Sequence, residues 1–191
     1  MPSATYELLD MEGRVRGSED LRCAPGPIGW RSFSTVTFDG AGSRVDLSVD
    51  ARWHPVRIRI ENDAHQLIVS QRGGKASVLL DEEPSEMQGA PIASFPSPAF
   101  LVAATRAMPA GGAAKAIAID PVTLQASWDD QVYELLARSQ RIETPVGVFE
   151  AALWRTVGRE FWIAGDVVVS GPGLRLITYD RGAAGPVPVD Q

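Results

Sequence analysis

The chain of 191 residues is poor in the residue types that usually announce chemistry: it has one cysteine and two histidines. A single thiol, Cys23, cannot close an intrachain disulfide, so the fold must rest on burial and hydrogen bonding. Long apolar runs are missing too, and none approaches the ~20 residues of a membrane span. The start, MPSATYELLDMEG, carries neither a basic cluster nor an apolar stretch of signal-peptide length, and a cytoplasmic location is the expectation. Cations are in deficit. The net charge of −6 argues against nucleic acid as a partner, because phosphate binding needs a basic face.

Chemical motifs are equally scarce. GAGSRV lacks the third glycine of a dinucleotide fingerprint and leads into a strand; there is no phosphate-cradling loop and no G-x-S-x-G elbow. No cofactor is therefore expected. If Asn62-Asp63 is a two-residue turn, His65 falls opposite Ile60 and His54 opposite Gln71. The two imidazoles then stand roughly 20 Å apart along the ribbon, which excludes a shared metal site. Carboxylates gather at Asp81-Glu82-Glu83 with Glu86, and at Asp129-Asp130, in predicted turns where solvent leaves them ordinary. Cys23 has no histidine near it in sequence and reads as a small buried residue or an incidental loop thiol.

What the chain does have is alternation. In SRVDLSVD, Val45, Leu47 and Val49 face one way and Arg44, Asp46, Ser48 and Asp50 the other. PVRIRIEN repeats the pattern with Val56, Ile58 and Ile60. A period of two marks half-buried antiparallel strands. Turn signals at Asp39 to Gly42, Asn62-Asp63 and Gly73-Gly74 divide residues 31–81 into a meander of five strands, preceded by TYELLDM paired with RVRGSE. Four prolines in the segment from Asp81 through Pro98 predict a long connection rather than a strand.

One helix follows, over about 98–108. Ser97 suits the N-cap, Pro98 the first helical position, and Pro109 with Gly111-Gly112 the stop. Only Thr105 and Arg106 are polar, and a helix apolar nearly all round is normally buried. Strands then resume as AKAIAID, LQASWDD, QVYELLARSQRI, GVFEAALWRTV, REFWIAG, DVVVS and LRLITYD, several with apolar residues on both faces. The Gly/Pro-rich tail, about 182–191, is expected to fray. The fold class that follows is mainly β: one domain over 1–191, a long antiparallel meander curved into a half-barrel or β-roll around a mid-chain apolar helix. A five-strand half with one apolar face would not close its own core, which favours one domain.

This order of elements resembles the half-barrel fold of bacterial lipoprotein carriers and related uncharacterised or glycolipid-binding bacterial proteins. The detailed likeness lies in RIETPVGVFEAALWRTVGREFWIAGDVVVS, where Pro145, Gly147 and Phe149 lead into a strand and Phe161-Trp162 follow. The resemblance implies a curved sheet around a helix, with a concave face that receives acyl chains.

The expected function is non-enzymatic binding of a hydrophobic ligand: a glycolipid, fatty acid or isoprenoid. Its expected wall is Phe100, Leu101, Ala104 and Met108 from the helix with Trp128, Trp154 and Trp162 from the later strands, and Arg57 or Arg59 would meet a head group. Two alternatives remain open. One is an enzyme drawing single residues from separate strands, with His54, His65, Tyr133, Glu134 and Glu150 as candidates. The other is an interaction module that pairs through an open sheet edge.

Overall fold

The structure is a computed structural model that describes residues 1–26 and 28–182, so the tail expected to fray lies outside the described residues save for Gly182. Alternation becomes strand wherever it was read. The opening hairpin is β1 (Ser3–Leu9) with β2 (Val15–Pro25), and the five-strand meander is β3 (Gly29–Phe38), β4 (Ala41–Asp50), β5 (Pro55–Asn62), β6 (Gln66–Arg72) and β7 (Lys75–Leu80). Val45, Leu47, Val49, Ile58 and Ile60 are buried, as the period of two requires. At Gly73-Gly74 both residues have φ near +60 to +80°, the geometry that joins β6 to β7.

Two further strands lie in the proline-rich segment read as a connection: β8 (Glu83–Gln88) and β9 (Ile92–Ser94). Proline is tolerated there because β8 is the last strand on one side of the sheet, where a missing N–H breaks no ladder. The helix α1 (Pro98–Ala107) comes next, then β10 (Gly112–Ile119), β11 (Ala126–Thr144), β12 (Gly147–Thr156), β13 (Arg159–Ala164), β14 (Val167–Gly171) and β15 (Leu174–Asp180). LQASWDD and QVYELLARSQRI are thus one strand of 19 residues. Asp129 and Asp130 do not turn the chain; they lie in the ladder opposite Ala116 and Lys115.

All fifteen strands form one sheet, ordered β8 to β1 and then β15 to β9, with β1 and β15 paired at the middle. Laid flat at ~4.8 Å per strand, such a sheet would be ~67 Å wide. Its two outermost strands, β8 and β9, are separated by Gly89, Ala90 and Pro91 alone, which can reach no further than ~14 Å. The sheet must therefore curl until its edges nearly meet. The result is an open barrel: β8 and β9 make no ladder with each other. Cross-ties hold the curl. The Asn62 side-chain amide donates to the Val122 carbonyl at 3.0 Å, and Gln71 bonds both the Pro55 carbonyl and the Ala90 N–H.

The helix has a topological reason to exist. β9 and β10 run parallel, with Ile117 beside Ala93. A hairpin cannot join parallel strands; they need a crossover, usually helical. Residues 95–111 supply it, and α1 packs inward on β9, β14 and β4. Apart from this pair the sheet is antiparallel.

Ser97 takes the N-cap position with an extended backbone and Pro98 follows as N1, but the serine hydroxyl does not cap the helix. It donates instead to Glu19 Oε1 at 2.6 Å. The β5–β6 turn also differs from the sequence reading. Its tip is Asp63-Ala64, because the Asn62 carboxamide oxygen accepts from the N–H groups of Ala64 and His65. The register shifts by two residues, and His65 faces Asn62 rather than Ile60.

Candidate functional site

The curled sheet gathers a core from both halves: Leu67 and Val69 on β6, Val45 and Leu47 on β4, Ile163 on β13 and Val167 to Val169 on β14. The helix fills the space between them. Phe100, Val102, Ala103 and Ala104 are buried, and the Phe100 ring meets Phe95 at 5.6 Å between centroids. Beside Ala99, Val102 and Ala103 the interior keeps a void of about 10 Å³, enough for one water at most. The concave face is therefore occupied by the protein's own helix.

The open space lies elsewhere. At the C-terminal end of α1 a cleft of about 280 Å³ opens between the helix and strands β11 to β13. Leu135, Ala152, Trp154 and Ile163 form an apolar wall, Thr105, Arg106 and Pro109 close it on the helix side, and Arg138 and Glu150 complete its lining from β11 and β12. Two irregularities shape it. The β11–β12 register slips between Leu135 and Ala137, and again between Ala137 and Gln140. Each slip puts an extra residue on β11, and such bulges bend a strand and re-aim its side chains. Arg138 falls inside the second slip and lines the cleft.

The charges around the cleft are unevenly matched. Arg155 pairs with Glu134 and Glu160, while Glu150 accepts from Ser139 at 2.8 Å and faces Arg141 across the ladder. Arg106 donates to the Gly165 carbonyl at 2.8 Å and lies 5.5 Å over the ring of Trp53. That ring stacks on Trp30 at 5.7 Å. Trp53 has φ +67, a conformation that costs roughly 1–2 kcal/mol for a residue with a Cβ, and its stacked neighbours hold it there. Arg138 has no hydrogen-bond or ion-pair partner among the described residues.

A second polar feature is sealed inside. Glu19 is fully buried, with Ser97 on one carboxylate oxygen and no hydrogen bond on the other. Burial drives its carboxyl up to about 7 against the pull of Ser97 and Ser34. The Ser34 hydroxyl is near enough to favour the ionised form, yet it too makes no hydrogen bond of good geometry. Ser97→Ala would leave Glu19 without its one good partner. It should lower stability by about 1–2 kcal/mol in urea unfolding and move the carboxyl's titration higher.

The sequence-nominated residues separate. Trp154 lines the cleft. Phe100 and Ala104 are core, while Leu101, Met108 and Trp162 are half-buried against it. Trp128 is 38% exposed beneath Lys115. Arg57 and Arg59 stand on the exposed side of β5, Arg59 beside Glu61 at 3.4 Å. Of the enzymatic candidates, Glu150 lines the cleft. His54 sits by Asp50 and His65 by Asp81, beyond opposite ends of β5, and Glu134 is engaged by Arg155. Tyr133 is buried, which pushes its hydroxyl up to about 12. Cys23 is buried too; burial and then Asp166, 3.3 Å from the sulfur, raise its thiol to about 12, the reverse of a reactive cysteine. Among the described residues no three His, Cys, Asp or Glu gather as a metal ion would need, and no helix is long and apolar enough to cross a membrane.

No family model matches the chain, and no curated protein does. Two solved structures share its architecture. One is a DUF1089-family protein from Pseudomonas aeruginosa, 18% identical over 91% of each chain with a TM-score of 0.50. The other is a β-barrel-like protein of the domain of unknown function DUF1849 from Brucella abortus, 12% identical over 94% of this chain and 96% of that one, with a TM-score of 0.54. At such identities the likeness is one of fold: a mainly β, barrel-like sheet.

Proposed function

We propose that the chain, acting as one β-rich domain, is a non-enzymatic binder of a small hydrophobic molecule such as a fatty acid, an isoprenoid or the lipid part of a glycolipid. The observation that carries this reading is the cleft of about 280 Å³ walled by Leu135, Ala152, Trp154 and Ile163, beside an interior already filled by α1. The binding place is thus the flank of the helix rather than the concave face. Ten buried methylenes at ~0.8 kcal/mol each supply ~8 kcal/mol, from which the ordering cost of association is subtracted. Affinity is expected in the micromolar range or weaker.

Ala152 offers a clean test, because it is half-buried on the cleft wall and a larger side chain there grows into open space. Ala152→Phe should abolish uptake of a fluorescent fatty acid while the melting temperature stays within a few degrees of the parent. Equal uptake by parent and variant, or none by the parent, would reject the reading.

A further inference from the structure

We propose that the ligand of this cleft is an anionic amphiphile, with its head group held by Arg138 and Arg106 and its chain against Trp154 and Leu135. The inference rests on the binding reading above and specifies its chemistry. An acidic chain of net charge −6 here places two guanidinium groups in the lining of its open cleft. The single carboxylate in the same lining, Glu150, is already engaged by Ser139 and faces Arg141. The cleft therefore carries a positive surplus.

The two arginines differ in a useful way. Arg106 is held in place by the Gly165 carbonyl and the Trp53 ring, so part of its fork is pre-positioned with N–H groups to spare. Arg138 projects from the β11 bulge with no partner among the described residues, and a bound anion would supply one. A planar fork suits carboxylate and phosphate alike. Leu135 and Trp154 line the same cleft as these groups, a combination an amphiphile requires and a bare inorganic anion does not.

The test compares decanoate, decyl phosphate and decanol by calorimetry at pH 7.5, against the parent chain, Arg138→Gln and Arg138→Lys. At least one of the two anions should bind the parent about tenfold tighter than decanol, and the one that does identifies the head group. Arg138→Gln should bring that anion to within about threefold of decanol and leave decanol itself unchanged; Arg138→Lys should recover part of the preference. If decanol binds the parent as tightly as both anions, or if Arg138→Gln keeps the preference, the head-group assignment is wrong while the cleft reading stands. Failure of all three to bind would overturn both.

Discussion

Glu19→Gln should raise stability by about 3 kcal/mol at pH 8 and change it little at pH 4. The buried carboxyl titrates at about 7 in the fold against 4.5 as its ordinary value. Between those two values the unfolded chain releases the proton while the folded chain keeps it. Stability attached to this group is therefore full below about pH 4.5, falls as pH rises through 7, and is flat beyond. A difference of two to three pH units corresponds to about 3 kcal/mol. Glutamine carries no charge to desolvate. Its carboxamide oxygen can keep the Ser97 hydroxyl, and its NH₂ group replaces the unpartnered oxygen near the unpartnered Ser34 hydroxyl. Asp10, Asp81 and Asp120 pull the other way at the acid end: hydrogen bonds hold their carboxyls low, so what they add is lost as pH falls through those low values. Asp81 and Asp120 are exposed and Asp10 is half-buried beside the exposed Arg14, so their effect is small. Urea unfolding of parent and variant from pH 4 to 8 checks the expectation. Parallel curves would mean that Glu19 does not titrate in this window.

Phe100→Ala should cost about 3–5 kcal/mol, the range for deleting a buried aromatic ring. Phe100 is 2% exposed and stands on the face of α1 that meets Phe95 and the β-sheet core. For a domain of ordinary stability that is a large share of the total. The ring does not line the cleft, so decanoate affinity should match the parent's in conditions where the variant is still folded. A Phe100 ring that walled a lipid pocket would behave in reverse, with a modest loss of stability and a changed ligand preference. Parallel urea melts and decanoate titrations separate the two cases.

The hairpins were legible because their signal is local: alternation on each strand and Gly73-Gly74, Asp39 to Gly42 or Gly165 between strands. Where the signal was not local, reading failed. β9 is three residues long, too short for any period to show, and its parallel pairing with β10 depends on a strand eighteen residues downstream. β8 contains Pro84, which is harmless only because nothing pairs with its outer edge. Asp129-Asp130 resembled a turn because charged neighbours usually sit in one, yet both side chains reach solvent from within the ladder.

The cleft was hidden for a related reason. A bulge is an offset between two strands, and neither β11 nor β12 alone records that Arg138 has no opposite number. Phe100 and Ala104 are core, with Leu101 and Met108 half-buried against it, and a buried helix and a pocket wall share one composition. Glu19 was more accessible. In EDLRC the period of two puts Glu19 on the side of Leu21 and Cys23, both buried, and a carboxylate on that face is the kind of anomaly that marks a strained interior.

Amide chemical-shift mapping of ¹⁵N-labelled protein titrated with decanoate tests most directly whether the helix fills the barrel and leaves its flank to the ligand. Saturable shifts should centre on Thr105, Leu135, Arg138, Ala152, Trp154 and Ile163, with Leu21, Leu47, Val49 and Val102 undisturbed. Shifts concentrated on that second, interior set would show that the ligand enters the barrel and displaces the helix, contradicting the placement of the site.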